Sequence, residues 1–208
     1  MSWTDFFDCI YLINLPKRVD RLLHAAEQFE KFDIPYKRIS AIEAENGAEG
    51  LRDTMLLIFN EAAQQGYKNI LVFEDDVLFL EEDVNDIMNK VVQQVPDNYR
   101  MILLGAQYSN GFSSFYSPNL LPVTKAFATH AVAYSALCIK EVLALQLGFP
   151  IDNWLVSEIQ PRGGTYGVYP LLATQKEGYS DIGKNNISWR PFIDGRFQQK
   201  IAELKSRL

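Results

Sequence analysis

Along this chain, wholly apolar stretches alternate with stretches whose apolar residues recur at helical spacing. Residues 7–15 (FDCIYLINL) form an apolar run closed by Pro16 and predict a buried strand. Between 17 and 32, Leu22, Ala26, Phe29 and Phe32 fall on one helical face, and Pro35 ends the segment. Residues 36–42 predict a short second strand. In 51–65, Met55, Ile58, Phe59 and Ala62 share a face, and Gly66 stands where a helix takes its C′ residue. Residues 69–73 (NILVF) follow as a short apolar strand. A helix leading straight into such a run is the signature of an α/β unit whose sheet is covered on both faces. Asp83 is placed to cap a further helix that turns Val84, Ile87, Met88, Val91 and Val95 inward, with Pro96 after it. Residues 101–104 (MILL) predict the next strand, ending at Gly105.

Beyond this point the regularity fades. Residues 107–122, with Gly111, Pro118 and Pro122, read as a long loop of the kind that is functional or mobile. Residues 129–135 and 166–172 predict strands, and 139–147 and 152–159 predict helices, with a Pro161-Arg162-Gly163-Gly164 turn between. The tail, 197–208, reads as a polar, loosely held helix. No repeat, low-complexity tract or linker divides the 208 residues, so a single domain is expected.

Composition narrows the function classes. With 48% hydrophobic and 22% charged residues, the chain is globular rather than disordered. Its 20 basic against 26 acidic residues give a net charge of −6, which excludes a nucleic-acid binder working through a broad basic face. Cys9 and Cys138 make neither a disulfide framework nor a zinc site and are expected as small core residues. The opening residues lack a basic n-region, and no window of ~18 residues is free of charge. The expectation is a cytoplasmic protein with reduced thiols, with peripheral contact at the inner face of the membrane left open.

The most informative chemistry is Glu74-Asp75-Asp76, directly after the apolar strand. Three consecutive carboxylates repel one another and cost desolvation energy when partly buried. An oxygen-preferring divalent cation removes that cost, and ligands of open α/β sheets bind at the carboxyl ends of strands. The competing reading is a solvated turn. Placement at a buried strand end, rather than in the polar run Glu81-Glu82-Asp83, favours the ligand site. Receiver domains and haloacid-dehalogenase phosphatases also carry acids at strand ends, but at or near the first strand. Upstream, Asn14 closes the first strand, and Arg18 and Arg21 share a face of the first helical turn. Guanidinium groups at a helix N-terminus suit a diphosphate or a nucleotide edge. The competing reading there is a surface charge cluster of Arg18, Asp20 and Arg21.

Together these stretches resemble glycosyltransferase family 25, which includes bacterial lipopolysaccharide and lipooligosaccharide galactosyltransferases and the collagen galactosyltransferases. Its members open with a strand Ile-Asn-Leu followed by Arg, two residues and Arg; here these are Ile13-Asn14-Leu15 and Arg18-Val19-Asp20-Arg21. A Glu-Asp-Asp triplet follows a helix, a short connection and an apolar strand, as in residues 66–77 here. Looser likeness covers Thr129-His130-Ala131-Val132-Ala133-Tyr134, Pro150-Ile151-Asp152, Pro170 and residues 175–182. The family's Ser-His pair ahead of the second helix is replaced by Asp53-Thr54.

The resemblance implies a GT-A-like fold, a single Rossmann-like α/β/α sandwich with a mostly parallel central sheet. Residues 1–105 would bind the nucleotide sugar, 106–195 would form the acceptor side and 196–208 a C-terminal helix. It implies transfer of galactose or another hexose from a UDP-sugar to a glycan or lipid-linked glycan hydroxyl in lipopolysaccharide or surface polysaccharide assembly, with inversion. Asp76 would coordinate Mn²⁺ or Mg²⁺, Asp75 or Glu74 would hydrogen-bond the ribose or donor sugar, and Asn14, Arg18 and Arg21 belong to the nucleotide side. Asp152 is the expected general base, with Glu158 as the alternative; Asp152 reads equally as a helix N-cap. His130 is either an additional metal ligand or a structural strand histidine, and His24 is expected at the surface. Trp154, Tyr166 and Trp189 are candidate sugar-stacking residues or packing. No nucleic-acid partner and no oligomeric state are implied. The missing Ser-His pair also admits a non-catalytic domain that binds a nucleotide sugar or glycan, or serves as a partner subunit. A phosphotransfer or phosphatase domain of another α/β family is the third reading.

Overall fold

The computed structural model describes residues 2–109, 112–180, 183–188 and 191–207. In its first half, β1 (Cys9–Asn14), α1 (Val19–Glu30), β2 (Lys37–Ser40), α2 (Gly47–Gln65), β3 (Asn69–Glu74), β4 (Val77–Phe79), α3 (Val84–Gln94) and β5 (Met101–Leu103) follow in order. Then come β6 (Gln107–Tyr108), β7 (Leu120–Pro122), β8 (Ala126–Phe127), β9 (Ala131–Ser135), α4 (Ala136–Leu145), α5 (Ile151–Glu158) and β10 (Thr165–Val168). β11 (Ala173–Gln175), β12 (Gly178–Ser180), β13 (Asn185–Ile187) and α6 (Arg196–Lys205) complete the chain.

Among the described residues, the main sheet has seven strands in the order β2-β1-β3-β9-β5-β10-β7. Strands β1, β2, β3, β5 and β10 run one way, and β9 and β7 run against them. The expected α/β class with a mostly parallel central sheet is what the chain adopts.

Strand alternation explains the apolar runs. Tyr11, Ile13, Ile70, Val72, Met101 and Leu103 face one core with α2, α4, α5 and α6. Ile10, Leu12, Leu71, Phe73, Ile102 and Leu104 face the other with α1 and α3. With helices on both faces, no position on these strands is left for a polar side chain until the strand ends.

Several elements differ from their expected form, each for a local reason. Helix α2 begins at Gly47 because Asn46 Oδ1 accepts from Ala48 N–H at 3.1 Å. Asp83 stands at the start of α3 but makes no side-chain capping bond. The stretch expected as a long loop contributes β6 and β7, and β7 closes the sheet beside β10. The tail helix is anchored rather than loose, since Phe197, Ile201 and Leu204 are buried in the core. His24, expected at the surface, is buried, with Nε2 2.9 Å from the Val77 carbonyl oxygen. Cys138 is buried, Cys9 is half-buried, and both are free thiols. Among the described residues, no helix is long and apolar enough to cross a membrane.

Candidate active site

β1 and β3 are parallel neighbours, with Ile13 opposite Glu74, so Asn14 and the acidic triplet emerge at one edge of the sheet. The chain turns through Asp75 and Asp76 into β4, whose antiparallel pairing sets Val77 against Gln175 and brings Gln175 to the acids. On the other side of β3, antiparallel β9 starts where β3 ends, with Phe73 opposite Ala131. Thr129 and His130 are thereby carried to Glu74, and Glu74 N–H donates to the His130 carbonyl at 2.9 Å.

The three acids are held differently. Asp75 is 6% exposed and both its oxygens are engaged. Asn14 Nδ2 donates to Oδ2 at 2.7 Å, and Arg21 Nη1 donates to Oδ1 at 2.9 Å. Asn14, 1% exposed, is itself fixed: its Nδ2 also donates to the Arg18 carbonyl at 3.0 Å, and its Oδ1 accepts from Arg38 Nη2 at 2.7 Å and Nε at 3.1 Å. Asp76 is gripped loosely, by Arg21 Nη1 at 3.4 Å and by Gln175 Nε2 at 3.3 and 3.5 Å. Glu74 Oε1 accepts from Thr129 Oγ1 at 2.8 Å.

Among the described residues, Arg21 makes the ion pairs to this triplet, to Asp75 and Asp76, and Glu74 has none. Burial, reinforced by the charge of Asp76, pushes the Glu74 carboxyl up to about 8. Burial pushes Asp76 up to about 6 despite the pull of Arg21. The cluster is short of positive charge.

Two cavities open on it. The first, about 310 Å³, lies between the triplet, Arg21, the segment after β2 and the β12–β13 hairpin with Tyr179 and Lys184. The second, about 330 Å³, runs from Glu74 past Phe127 and Pro150 to Asp152. Leu51, Glu74, Gln175 and Ser180 line both, so they are compartments of one cleft with Glu74 in the shared wall.

The structure therefore brings Arg21, Glu74, Asp75 and Asp76 together in the first compartment, and Asp152 with Glu74 in the second. Asn14, Arg18 and His130 line neither. Asn14 braces Asp75. Arg18 pairs with Asp20 at 2.9 Å, and its Nη1 points to the Tyr179 carbonyl at 3.4 Å, which Arg21 Nη2 also meets at 2.8 Å. The two arginines thus hold the β12–β13 hairpin to the acidic edge.

His130 is 0% exposed, its ring packed against Gly105. A Cβ on Gly105 would lie 2.7 Å from His130 Nε2 and 1.9 Å from the Ala173 carbonyl oxygen, so only glycine fits there. Neither ring nitrogen has a hydrogen bond of good geometry. Burial lowers the imidazole to about 4, and the neighbouring Ala173 carbonyl offsets this only in part. The packing reading of His130 is the one its surroundings support.

Other expected residues lie elsewhere. Glu158 is exposed and outside both compartments. Thr54, standing where the Ser-His pair would be, is buried; its Oγ1 accepts from Ile42 N–H at 2.8 Å and donates to the Gly50 carbonyl at 2.7 Å. Asp53 pairs with Arg52 at 2.8 Å. Trp154 and Tyr166 pack against the core and line neither compartment. Trp189, Asp181 and Ile182 lie outside the described residues.

Arg38, Thr129 and Gln175 complete the network, yet sequence spacing does not single out their roles. They reach it only through the β1–β2, β3–β9 and β4–β11 pairings.

Among the described residues, no group of three or more His, Cys, Asp or Glu side chains is placed to hold a metal ion. Mg²⁺-type sites need no such group: one or two carboxylates suffice when substrate phosphates and water complete the shell. The uncompensated charge at the triplet and the loosely held Asp76 fit a site of that open kind.

No protein-family model matches the chain, and no curated protein does. Solved structures do. A197 from STIV aligns with a TM-score of 0.50 at 15% identity, over 86% of this chain and 92% of that one. A glycosyltransferase involved in glycosylation of the major capsid of PBCV-1 aligns at 0.45 and 15% identity, over 73% of this chain and 76% of that one. UDP-glucose pyrophosphorylase complexed with UDP-glucose aligns at 0.43 and 10% identity, over 77% and 72%. At 15% identity the likeness to A197 from STIV is one of fold, and the family 25 resemblance rests on the motifs of the sequence.

Proposed function

We propose that this chain is a metal-dependent glycosyltransferase that moves a hexose from a UDP-sugar to a hydroxyl of a glycan or lipid-linked glycan. Galactose as the sugar, and lipopolysaccharide or surface polysaccharide as the setting, follow from the sequence resemblance. The observation that carries the reading is the cluster of three adjacent carboxyl groups, two of them paired to Arg21, in a two-compartment cleft at the carboxyl end of β3. A phosphate-bearing donor with its cation suits the first compartment, and the second offers a separate place for an acceptor beside Asp152.

Asp76 would hold Mn²⁺ or Mg²⁺, with Asp75 behind it; when bound, the ion would neutralise charge developing on the departing diphosphate. Asp75, fixed by Asn14 and Arg21, keeps the turn in place. Glu74, in the shared wall, would accept a hydrogen bond from the donor sugar. Arg21 lines the donor compartment and would add positive charge beside the diphosphate. Asp152 would take the proton of the acceptor hydroxyl as that oxygen attacks the anomeric carbon and the bond to diphosphate breaks, which inverts the linkage.

Thermal-shift measurements with UDP, GDP, CMP and their sugars, each with and without Mn²⁺, test this. A ligand at about 100 times its Kd adds about 2.7 kcal/mol. The expected result is a UDP response that requires Mn²⁺ and disappears in Asp76→Asn. No response to any nucleotide in a folded sample overturns the reading and leaves a non-catalytic glycan-binding or partner role.

A further inference from the structure

The wall of the second compartment is built from an unusually small piece of sheet. β8 has two residues, paired antiparallel with β6 so that Phe127 stands opposite Gln107 and Ala126 opposite Tyr108. An isolated two-stranded ribbon this short has little stability of its own. It is secured by Gln160, a buried side chain 3% exposed. Gln160 Oε1 accepts from Ala126 N–H at 2.9 Å, and its Nε2 donates to the Ala126 carbonyl at 2.7 Å. One amide thereby does for Ala126 what a neighbouring strand would do.

Immediately after Phe127, Ala128 has φ +75°, in the left-handed region that residues with a Cβ rarely occupy. Such a conformation persists only where the surroundings over-determine it. Here Gln160 holds the chain on one side and the Thr129–Glu74 hydrogen bond holds it on the other. The strained residue itself lines the cavity. Phe127 and Gln107 are consequently presented to the compartment from a fixed position, facing Asp152 and Asn153 at the start of α5.

The chemistry of this compartment selects its occupant. Among the described residues, its lining holds no lysine or arginine, and Lys125, outside that lining, has its Nζ over the Phe127 ring 5.7 Å from the centroid. It offers the Phe127 ring and apolar side chains such as Ile151 and Ile193, with amide and carboxylate groups of Gln107, Asn153 and Asp152. At about 330 Å³ it lies at the small end of ligand cavities. A pyranose has matching features, with an apolar C–H face and a rim of hydroxyls.

The geometry points to Phe127 and Gln107 as the platform that seats a single acceptor pyranose, the apolar face of the sugar on the Phe127 ring and its hydroxyls toward Gln107 and Asn153. This deepens, and rests on, the transferase reading of the cleft. Gln160 acts through Ala126 as a positioning residue.

Saturation-transfer NMR tests it on the full chain, with the methyl glycosides of galactose, glucose and N-acetylglucosamine as probes, in the presence of UDP and Mn²⁺. The expected result is transfer to the ring protons of at least one glycoside. Phe127→Ala should weaken that binding about tenfold, the worth of one aromatic contact, while Phe127→Tyr retains it. The nucleotide response should be unchanged in both. If Phe127→Ala does not fold, Phe127→Leu keeps the apolar volume and removes the aromatic face, and the same weakening is expected. Equal glycoside affinity with and without the aromatic ring overturns the platform. So does the absence of transfer to any probe in a protein that still responds to UDP and Mn²⁺. A chain that binds glycosides through Phe127 but ignores nucleotides keeps the platform and removes the donor reading.

Discussion

The two compartments share a wall but not a chemistry. The first is lined by Glu43, Glu45, Glu74, Asp75 and Asp76 together with Lys17, Arg21, Lys176 and Lys184. The second presents Phe127, Pro150, Ile151 and Ile193 and, among the described residues, no cationic side chain. Charge of both signs in one small space is stable only where it is paired or awaits a charged ligand. Apolar walls with a few convergent polar groups await an uncharged, partly apolar one. Under the proposed transfer, the contrast would separate what leaves with the phosphates from what receives the sugar, with Glu74, which lines both, as the divide between them.

The sharpest way to break this contrast is Asp76→Asn. It should abolish the Mn²⁺-dependent response to UDP and cut donor turnover by about 1,000-fold, as loss of a principal electrostatic stabiliser does, while leaving glycoside binding intact. Equal loss on both sides would show that the compartments are not independent. Turnover and the two binding responses, measured on one preparation, give the answer.

The wall itself should be acid-sensitive. Folded His130 titrates near 4, against about 6.5 for an unperturbed imidazole. Its neutral ring is therefore fully compatible with the fold above about 6.5, and that stability is lost as pH falls toward 4, by up to about 3 kcal/mol. Glu74 and Asp76, whose carboxyls are pushed up, act in the opposite sense. The readout is accordingly the difference in melting temperature between the native chain and His130→Asn across pH 4 to 7. Parallel curves would remove the buried-histidine account.

Asp152→Asn should sharpen the contrast from the other side. Transfer should fall by about 100-fold, the lower range for loss of a general base, with the UDP response unchanged. Asn46→Ala supplies the control. The first turns of α2 put Gly47 in one compartment, Ala48 in the other and Leu51 in both. Loss of its cap should cost about 1 kcal/mol of stability and weaken donor and acceptor responses alike. A variant that affects one side alone would show that α2 serves only that compartment.

Local signals made the first compartment more legible than the second. Ile70 to Phe73 cannot be a solvated segment, and three acids directly after it mark a strand end at which chemistry is concentrated. Arg21 was visible because it lies three residues after Arg18, on the same face of the first helical turn. Asn14 was visible too, but its role was not: as a bracket between Arg38 and Asp75 it depends on a residue from the adjacent strand. For His130 the sequence left a ligand and a structural reading open, since it cannot show that Gly105 and Ala173 lie close to its ring. Phe127 and Gln107 lie in a stretch with too little periodicity to suggest strands, and the two-residue pieces they occupy exist only because Gln160 and each other's backbones complete the hydrogen bonds.

The sequence by itself determined the strand and helix alternation around β1, α2, β3 and β5, the burial of the sheet on both faces and the position of the acids. These follow from the side-chain period of a strand or helix and the cost of burying carboxylates, both of which are local. Only the tertiary structure decided that β9 enters antiparallel between β3 and β5. That one pairing sets the beginning of a late strand against the end of an early one. It carries Thr129 to Glu74 and the Phe127 platform to the far side of the same wall. Contacts between residues so far apart in the chain leave no periodic trace in it, because strand pairing is chosen by the whole core rather than by any segment of it.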